Sequence, residues 1–281
     1  MIGIYSSIGQ NLKAEVAISK FTSPNESPYL ETYLRLKGES LKLAKTDAGM
    51  QATVIITYSI SKSGSEIYKD AYKLNGPIIK EGQASLDFID QQRIPVKIGK
   101  HEIHMTIEDA NNPDSEVAKI TQETVFEDKS FKVFISDFQL VDSYSKTEEQ
   151  NIFSKVGYDL IPHTSNFYPE TKDEITFYAE VYNTDRKFGR EGEFLTNMFI
   201  ESAEDGRIIG ELRKFSKRVG QAVVPVLHTF PLTDVESGNY NLVLEARDRK
   251  NEVLDRQAIQ FQRSNPVEQE YTASQSTLEA D

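Results

Sequence analysis

The sequence predicts an all-β chain made of two tandem antiparallel β-sandwich domains of the immunoglobulin-like or fibronectin-III-like kind. Three observations lead to this prediction: apolar and polar residues alternate with a period of two in short segments, turn-favouring residues separate these segments, and the pattern occurs twice along 281 residues. A period of two places successive side chains on opposite faces of a strand, as expected for strands with one buried face. A chain of this length can bury two separate cores.

The first set of strands defines a predicted first domain at residues 1–130. Alternating or β-branched segments predict strands at residues 14–21, 29–36, 51–60, 84–89 and 101–108. Between them, residues that tight turns select (Gly, Pro, Asn and Ser) cluster at residues 23–28, 62–66, 74–77 and 109–116. This order favours an antiparallel sandwich.

The pattern begins again after residue 130, which predicts a second sandwich domain at residues 131–265. Its strands are predicted at residues 131–141, 174–182, 194–202, 207–215, 222–232, 240–246 and 255–263. Five predicted strands in the first part and seven in the second are close to the seven of an immunoglobulin-like or fibronectin-like sandwich. Residues 143–156 suit either a short helix or a polar loop. Residues 266–281 have little apolar content and no period, so we expect a flexible tail or linker there.

Two segments show the repeat most clearly, residues 99–117 and residues 238–253. The equivalent positions are Gly99 and Gly238, His101 and Tyr240, Ile103 and Leu242, Met105 and Leu244, Ile107 and Ala246, and Asp109 and Asp248. Tyr240 fits a tyrosine corner, in which the ring packs beside a turn and the hydroxyl bonds back to the main chain. We expect His101 to occupy the same place in the first domain.

Composition excludes several classes of function. The net charge is -12, which argues against nucleic acid as a partner because such binding depends on clustered Lys and Arg. The chain has no cysteine, so it has no disulfide, thiol nucleophile or cysteine-ligated zinc. No segment approaches the roughly 18 apolar residues of a membrane-spanning helix. The first residues lack the features of a signal peptide, so the chain is either cytoplasmic or had a signal removed before Met1.

Familiar catalytic spacings are absent, which predicts a non-enzymatic protein without a cofactor. The sequence contains no Gly-x-Ser-x-Gly, no phosphate-binding loop, no His-Glu-x-x-His and no Gly-x-Gly-x-x-Gly. His101 and His104 lie three positions apart and therefore on opposite faces of a strand, so they do not share a metal. For His163 and His228, spacing alone supplies no carboxylate partner.

Two groups of residues are candidates for binding. The hairpin at residues 109–116 offers the hard oxygens that calcium prefers, from Asp109, Asn111, Asn112, Asp114 and Glu116. Tight turns select the same residue types, and the equivalent turn of the second repeat is basic, so a metal-free turn is the alternative. In the strand at residues 174–182, alternation places Tyr178 and Tyr182 on the face opposite the core. These tyrosines form either a packing surface against the neighbouring domain or an exposed patch for sugars or peptides.

Several stretches together resemble one protein family. They are residues 12–41, residues 87–109, residues 167–183 and residues 237–266, the last of which ends in the distinctive "FQRSNP". This pattern is similar to the amino-terminal region of the Bacteroidetes proteins called GWxTD domain-containing. The chain has no tryptophan, so the motif that names the family is absent from it. The resemblance implies a secreted, extracytoplasmic protein of the periplasm or cell surface with a tandem β-sandwich region, and it offers no catalytic residues that could be assigned to this chain.

These observations lead to three functional hypotheses, of which the least favoured is an enzyme with an unrecognised site. The first is a non-enzymatic scaffold that binds another protein of the cell envelope. The second is a carbohydrate-binding accessory module, in which the tyrosine face recognises a glycan.

Overall fold

The computed structural model describes residues 3–8 (backbone only), 12–23 and 27–266. The predicted tail at residues 266–281 lies outside the described residues except for Pro266. The described part is almost entirely β-structure.

The strands of the first half are β1 (Gly3–Ile8), β2 (Lys13–Phe21), β3 (Tyr29–Leu36), β4 (Ala44–Thr46), β5 (Gly49–Gln51), β6 (Thr53–Lys62), β7 (Ser65–Asn75), β8 (Phe88–Pro95), β9 (Gly99–Asp109) and β10 (Ala118–Phe126). The strands of the second half are β11 (Phe134–Ile135), β12 (Gln139–Lys146), β13 (Ser154–Lys155), β14 (Tyr158–Pro162), β15 (Phe167–Tyr168), β16 (Glu174–Tyr182), β17 (Glu193–Ser202), β18 (Ile208–Val219), β19 (Val223–Pro231), β20 (Gly238–Arg247) and β21 (Val253–Arg263). The helical segments are a 3-10 turn at Gly38–Ser40 and the short helix α1 at Thr184–Phe188.

Each half folds as a sandwich of two sheets. In the first half the strand orders are β1-β2-β3-β8 and β10-β9-β6-β7. In the second half, β16 pairs with β12 on one side and β19 on the other, and the opposite sheet has the order β15-β21-β20-β17-β18. The order β2-β3-β8 therefore corresponds to β12-β16-β19, and β10-β9-β6-β7 corresponds to β21-β20-β17-β18. The predicted tandem β-sandwich fold is confirmed, and both halves share one topology.

A separate apolar core fills each sandwich. The first core extends from Leu12 to Phe126, and the second extends from Val133 to Phe261. On β6, Val54, Ile56, Tyr58 and Ile60 are buried while Ile55, Thr57 and Ser59 between them are partly exposed, so the alternation of the sequence matches the burial of the side chains. Removal of this apolar surface from water is the main force that holds each sandwich together.

The corner residues of the two repeats occupy the same strand position but form different bonds. Tyr240 is the third residue of β20, its ring stacks on Phe261, and its hydroxyl donates to the carbonyl of Glu236 at 3.0 Å. His101 is the third residue of β9 and is buried, but its Nδ1 lies 3.1 Å from the carbonyl of Gly99. The imidazole is shorter than a phenol, so it bonds within its own turn rather than further upstream.

Replacement of Tyr240 by Phe is expected to lower the free energy of unfolding by about 1 kcal/mol, the net contribution of one hydrogen bond. The ring contact with Phe261 is kept, so the loss reports the bond to Glu236 alone. Urea unfolding measures it, with Tyr144→Phe as the control because Tyr144 is exposed. Equal stabilities of the two variants would mean that the corner bond does not stabilise the fold.

The structure differs from the sequence prediction in several places. Strands β10 and β14 were not predicted, and β8 lies at Phe88–Pro95 rather than at residues 84–89. Residues 143–156 contain no helix and continue β12 before a loop leads to β13. Strand β7 was missed because it is a sheet edge with both faces mostly exposed, which removes the alternation. The predicted strand at residues 131–141 is divided, because Ser136 and Asp137 leave the sheet and form bonds with their side chains.

Candidate functional site

An open cleft of about 660 Å³ lies where the two sandwiches meet. We call it the inter-sandwich cleft. The first sandwich contributes residues of β3, β8 and the connection before β3, and the second contributes residues of β13, β16 and β19. The lining residues include Ser27, Tyr29, Arg93, Lys155, Tyr178 and Glu180.

The two tyrosines predicted as a binding face are buried beside this cleft. Tyr178 is 0% exposed and Tyr182 is 2% exposed, so they do not form an open platform for a sugar. Both hydroxyls donate to the carboxylate of Glu180, and the backbone N–H of Thr22 donates to the Tyr182 hydroxyl at 3.0 Å. The ring of Tyr178 lies 6.2 Å from that of Phe21. The tyrosine face therefore packs against the first sandwich, which was one of the two alternatives.

A buried carboxylate, that of Glu31 on β3, is the centre of the contact between the sandwiches. Lys155 of β13 donates to Oε2, Tyr33 donates to Oε2 at 2.8 Å, and Arg93 and Gln91 donate to Oε1 at 2.8 and 2.6 Å. The Glu31 side chain is 0% exposed and that of Lys155 is 6% exposed. A buried charge without partners is very costly, and these four donors satisfy it.

Aromatic rings enclose the other end of the ion pair. The Lys155 ammonium lies 3.7 Å from the ring centre of Phe21 and 4.9 Å from that of Tyr178. Phe21 belongs to the first sandwich and Tyr178 to the second, so the ammonium is held by both. Cation–π attraction is strongest where the cation is removed from water, as it is here.

The pKa shifts of the ion pair follow from burial and from the opposite charges. Burial of Glu31 favours its neutral form, but the charges of Lys155 and Arg93 prevail and hold the pKa of this carboxyl below its usual value. Burial lowers the pKa of Lys155, and the charge of Glu31 opposes that change. The carboxyl of Glu31 is therefore ionised at neutral pH and is not a proton donor.

A second set of bonds joins the sandwiches near the linker between them, residues 127–133. Ser19 donates to the carbonyl of Phe138 at 2.8 Å, and the backbone N–H of Lys20 donates to Asp137 at 3.0 Å. Gln257 donates to the other oxygen of Asp137 at 2.9 Å. Burial raises the pKa of Asp137, which is almost fully enclosed. The two sandwiches thus share polar contacts on both sides of their junction.

The oxygen-rich hairpin has a structural role in this structure. Within the described residues, no three His, Asp or Glu side chains converge in a way that could hold a metal ion. Asp109 accepts the backbone N–H groups of Lys42 at 2.8 Å and Asn111 at 2.9 Å, and the Asn111 amide donates to the carbonyls of Lys42 and Gln51. The structure therefore does not gather the calcium candidates, namely Asp109, Asn111, Asn112, Asp114 and Glu116, into a three-acid site.

The equivalent aspartate of the second repeat has the same role. Asp248 accepts the backbone N–H groups of Lys250 at 2.8 Å and Glu252 at 2.9 Å. Both aspartates thus organise the turn after the corner strand, which explains their equivalent positions in the sequence.

One histidine, His163, lies beside a carboxylate that its position in the sequence did not indicate. His163 Nδ1 lies 3.6 Å from Asp142, whose carboxylate is also bound by Lys172. Burial, and then the charge of Lys172, lowers the pKa of His163 to about 4. The Nε2 atom is buried and has no hydrogen-bond partner among the described residues, and the ring packs against Tyr168. This pair does not line the inter-sandwich cleft.

The sequence contains a weak signal for Glu31. On β3, Leu30, Leu34 and Leu36 belong to the first core. Alternation therefore places Glu31 on the opposite face, between Tyr29 and Tyr33. A single acid between two tyrosines, on the face of the strand opposite the core, indicates a polar contact that another part of the protein covers. Only the structure identifies Lys155 as the partner.

The turn before β14 holds Val156 at the rim of the cleft in an unfavourable backbone conformation. Val156 has φ 46° and Gly157 has φ 85°, as in the two-residue turns that favour Asn-Gly. A β-branched residue with positive φ is rare and strained. The Val156 side chain is 55% exposed and lines the cleft.

Replacement of Val156 by Asn is expected to raise the free energy of unfolding by about 1 kcal/mol, because Asn tolerates this conformation. Thermal and urea unfolding measure the change. Val253→Asn is the control, since Val253 is similarly exposed but is not among the residues with positive φ. A loss of stability in the first variant would show that contacts of the valine outweigh the backbone strain.

Comparison with known proteins gives no family assignment. The chain matches no known protein family and no curated protein. By structure it is similar to a glycosyl hydrolase family 2 member from Bacteroides cellulosilyticus (TM-score 0.28, 9% identity, 82% of this chain and 28% of that one). It is also similar to a calcium-binding mutant of Bacteroides uniformis beta-glucuronidase 2 (TM-score 0.28, 11% identity, 82% and 26%). A third is the fibronectin(III)-like modules of Clostridium thermocellum CbhA (TM-score 0.22, 8% identity, 83% and 85%). The chain spans little more than a quarter of the first two proteins, and none of these similarities supports a function.

No helix among the described residues is long and apolar enough to cross a membrane.

Proposed function

We propose that the chain is a non-enzymatic binding protein of the cell envelope, and that its inter-sandwich cleft holds a segment of a partner protein. The observation that carries this proposal is the cleft itself. It is open and about 660 Å³ in volume, and bonds between the two sandwiches, from Lys155 to Glu31 and from Arg93 to the carbonyl of Ser154, fix its walls. A preorganised cleft binds with a smaller loss of conformational entropy than a flexible one.

The chemistry of the walls supports a peptide as the occupant. Val156 and the ring of Tyr29 offer apolar contact, while Ser27 and Glu180 offer hydrogen bonds. Strands β8 and β13 both contribute to the cleft, and each lies at the edge of its sheet. Edge strands accept extended peptides by strand addition, with side-chain pockets that provide specificity.

Lys155, which lines the cleft, and its buried partner Glu31 support the non-enzymatic part of the proposal. The carboxylate of Glu31 is occupied by four donors, and the ammonium of Lys155 is held by Glu31 and two rings. Groups that are fixed in this way are poor nucleophiles and poor general acids, because any proton transfer would leave a buried charge without a partner. The extracytoplasmic address belongs to the same proposal and rests on the resemblance to the GWxTD domain-containing proteins.

The test compares a blocked cleft with an intact one. Ser27 is exposed at the cleft, so Ser27→Trp fills part of it without touching the buried ion pair. Ser65→Trp, at the exposed start of β7, is the matched control. Both variants and the parent chain are incubated with envelope extracts, cross-linked and analysed by mass spectrometry, and a partner found in this way is then purified and titrated.

We expect the purified partner to bind the parent chain and Ser65→Trp equally, and Ser27→Trp at least tenfold more weakly. Equal binding to all three would exclude the cleft as the site. If an envelope polysaccharide competes with the partner, and Ser27→Trp no longer binds this polysaccharide, then the ligand of the cleft is a glycan and not a protein.

A further inference from the structure

Strand β18 carries an excess of positive charge at an open sheet edge. It pairs with β17 on one side and forms the end of its sheet on the other. Its charged residues are Glu211, Arg213, Lys214, Lys217 and Arg218, which is four cations and one acid in a chain with a net charge of -12. We call these four cations with their strand the basic edge.

The cations of the basic edge are not neutralised by acids of the described residues. Arg213 donates to the side-chain carbonyl of Asn197 at 3.1 Å and stacks 4.5 Å from the centre of the Phe215 ring. Neither Lys214 nor Lys217 has a carboxylate within ion-pair distance in the described part of the chain. The buried Nε of Arg218 likewise finds no acceptor there. The basic edge therefore has unused capacity for carboxylates.

The first repeat contains an internal control for this strand. Strand β7 takes the same place at the edge of the equivalent sheet, as the matching strand orders show. It carries Glu66, Lys69, Asp70 and Lys73, so its charges balance, and Lys69 lies 3.9 Å from Glu66. Lysines often protect sheet edges against unwanted pairing, and mixed charges do so on β7. Edge protection alone does not account for the one-sided charge of β18.

We propose that the basic edge binds an extended acidic segment of a partner protein by strand addition. Alternation places Arg213 and Lys217 on one face of β18 and Lys214 and Arg218 on the other. Phe215 lies between Arg213 and Lys217 and is 47% exposed. The complementary segment carries two adjacent acids, two further residues of which one is apolar, and two more adjacent acids. This surface is separate from the inter-sandwich cleft and does not depend on the function proposed for it.

The binding is tested with a fluorescein-labelled peptide of the sequence Thr-Glu-Glu-Thr-Val-Glu-Glu-Thr and with the same peptide in which Gln replaces each Glu. Fluorescence anisotropy gives the dissociation constants at low and at high salt. The variant Lys214→Glu/Lys217→Glu reverses two of the four charges of the basic edge, and Lys69→Glu/Lys73→Glu reverses two lysines on β7 as the matched control. All four lysines are exposed, so the variants are expected to fold, which circular dichroism verifies.

We expect the acidic peptide to bind at least tenfold more tightly than the Gln peptide, and salt to weaken that binding. The β18 variant is expected to lose at least tenfold in affinity, while the β7 variant and Ser27→Trp retain the parent affinity. Equal losses of affinity in the β18 and β7 variants would mean that peptide binding depends only on the net charge of the protein, and would overturn the proposal. Anionic lipid vesicles or an anionic polysaccharide that bind the basic edge more tightly than the acidic peptide would also overturn it.

Discussion

Replacement of Lys155 by Met is expected to lower the free energy of unfolding by about 3–5 kcal/mol, the usual cost of removing one partner from a buried ion pair. Methionine keeps an unbranched side chain of nearly the same length but removes the ammonium that lies over the Phe21 ring, and it leaves Glu31, which is 0% exposed, with one cation fewer. Urea unfolding at pH 7 measures the loss. Hydrogen exchange is expected to accelerate on β3 and β13, the strands that carry the pair.

Two further variants make this result specific to the buried pair. Lys13→Met removes an exposed lysine whose ion pair with Glu39 is solvated, and we expect a change within about 0.5 kcal/mol. The double variant Glu31→Gln/Lys155→Met removes both charges, and we expect it to recover a large part of the lost stability. If the double variant is less stable than Lys155→Met, then Arg93, Tyr33 and Gln91 suffice for the carboxylate, and the pair with Lys155 is not the main stabilising contact.

Acidification from pH 6.5 to pH 4 is expected to destabilise the protein through His163 by about 3 kcal/mol. In the unfolded chain this group titrates near its ordinary pKa of 6.5, whereas in the folded chain burial lowers its pKa to about 4. Below pH 6.5 the unfolded state therefore binds a proton that the folded state does not. The free energy of unfolding falls through this window and is unaffected by His163 at higher pH.

The measurement is a series of urea unfolding curves between pH 7.5 and pH 4. His163→Phe keeps a ring against Tyr168 and removes the titrating group, so its stability is expected to change less with pH than that of the parent. His104→Gln is the control, because the His104 side chain is 43% exposed, and we expect it to retain the parent slope. If the free energy of unfolding of His163→Phe falls with pH as steeply as that of the parent, the acid sensitivity belongs to other groups, such as Asp142.

Alternation in the sequence predicted which faces of the strands are buried, but not what covers them. Ile175, Phe177, Ala179 and Val181 belong to the second core, as their period of two predicted. The same period placed Tyr178 and Tyr182 on the other face. Their burial depends on the first sandwich, and a local pattern contains no information about a surface so far away along the chain.

The ion pair shows the same limit more clearly. Glu31 and Lys155 are 124 residues apart, and nothing in either segment identifies the other. The hairpin at residues 109–116 illustrates a different limit, because oxygen-rich residues serve turns and calcium sites equally well. Only the direction of the Asp109 oxygens, towards backbone N–H groups, decides between these two uses.

The position of the Glu31–Lys155 pair has a mechanical consequence for the tandem. When two sandwiches are joined only by a flexible linker, the angle between them is free to change. Tension on their ends then first aligns the two sandwiches along the direction of the force. Here the pair, with Arg93 bound to the carbonyls of Ile152 and Ser154, braces the junction away from the linker at residues 127–133. A pulling force must therefore separate this buried ion pair before the angle between the sandwiches changes, so we expect the two repeats to respond to tension as one unit.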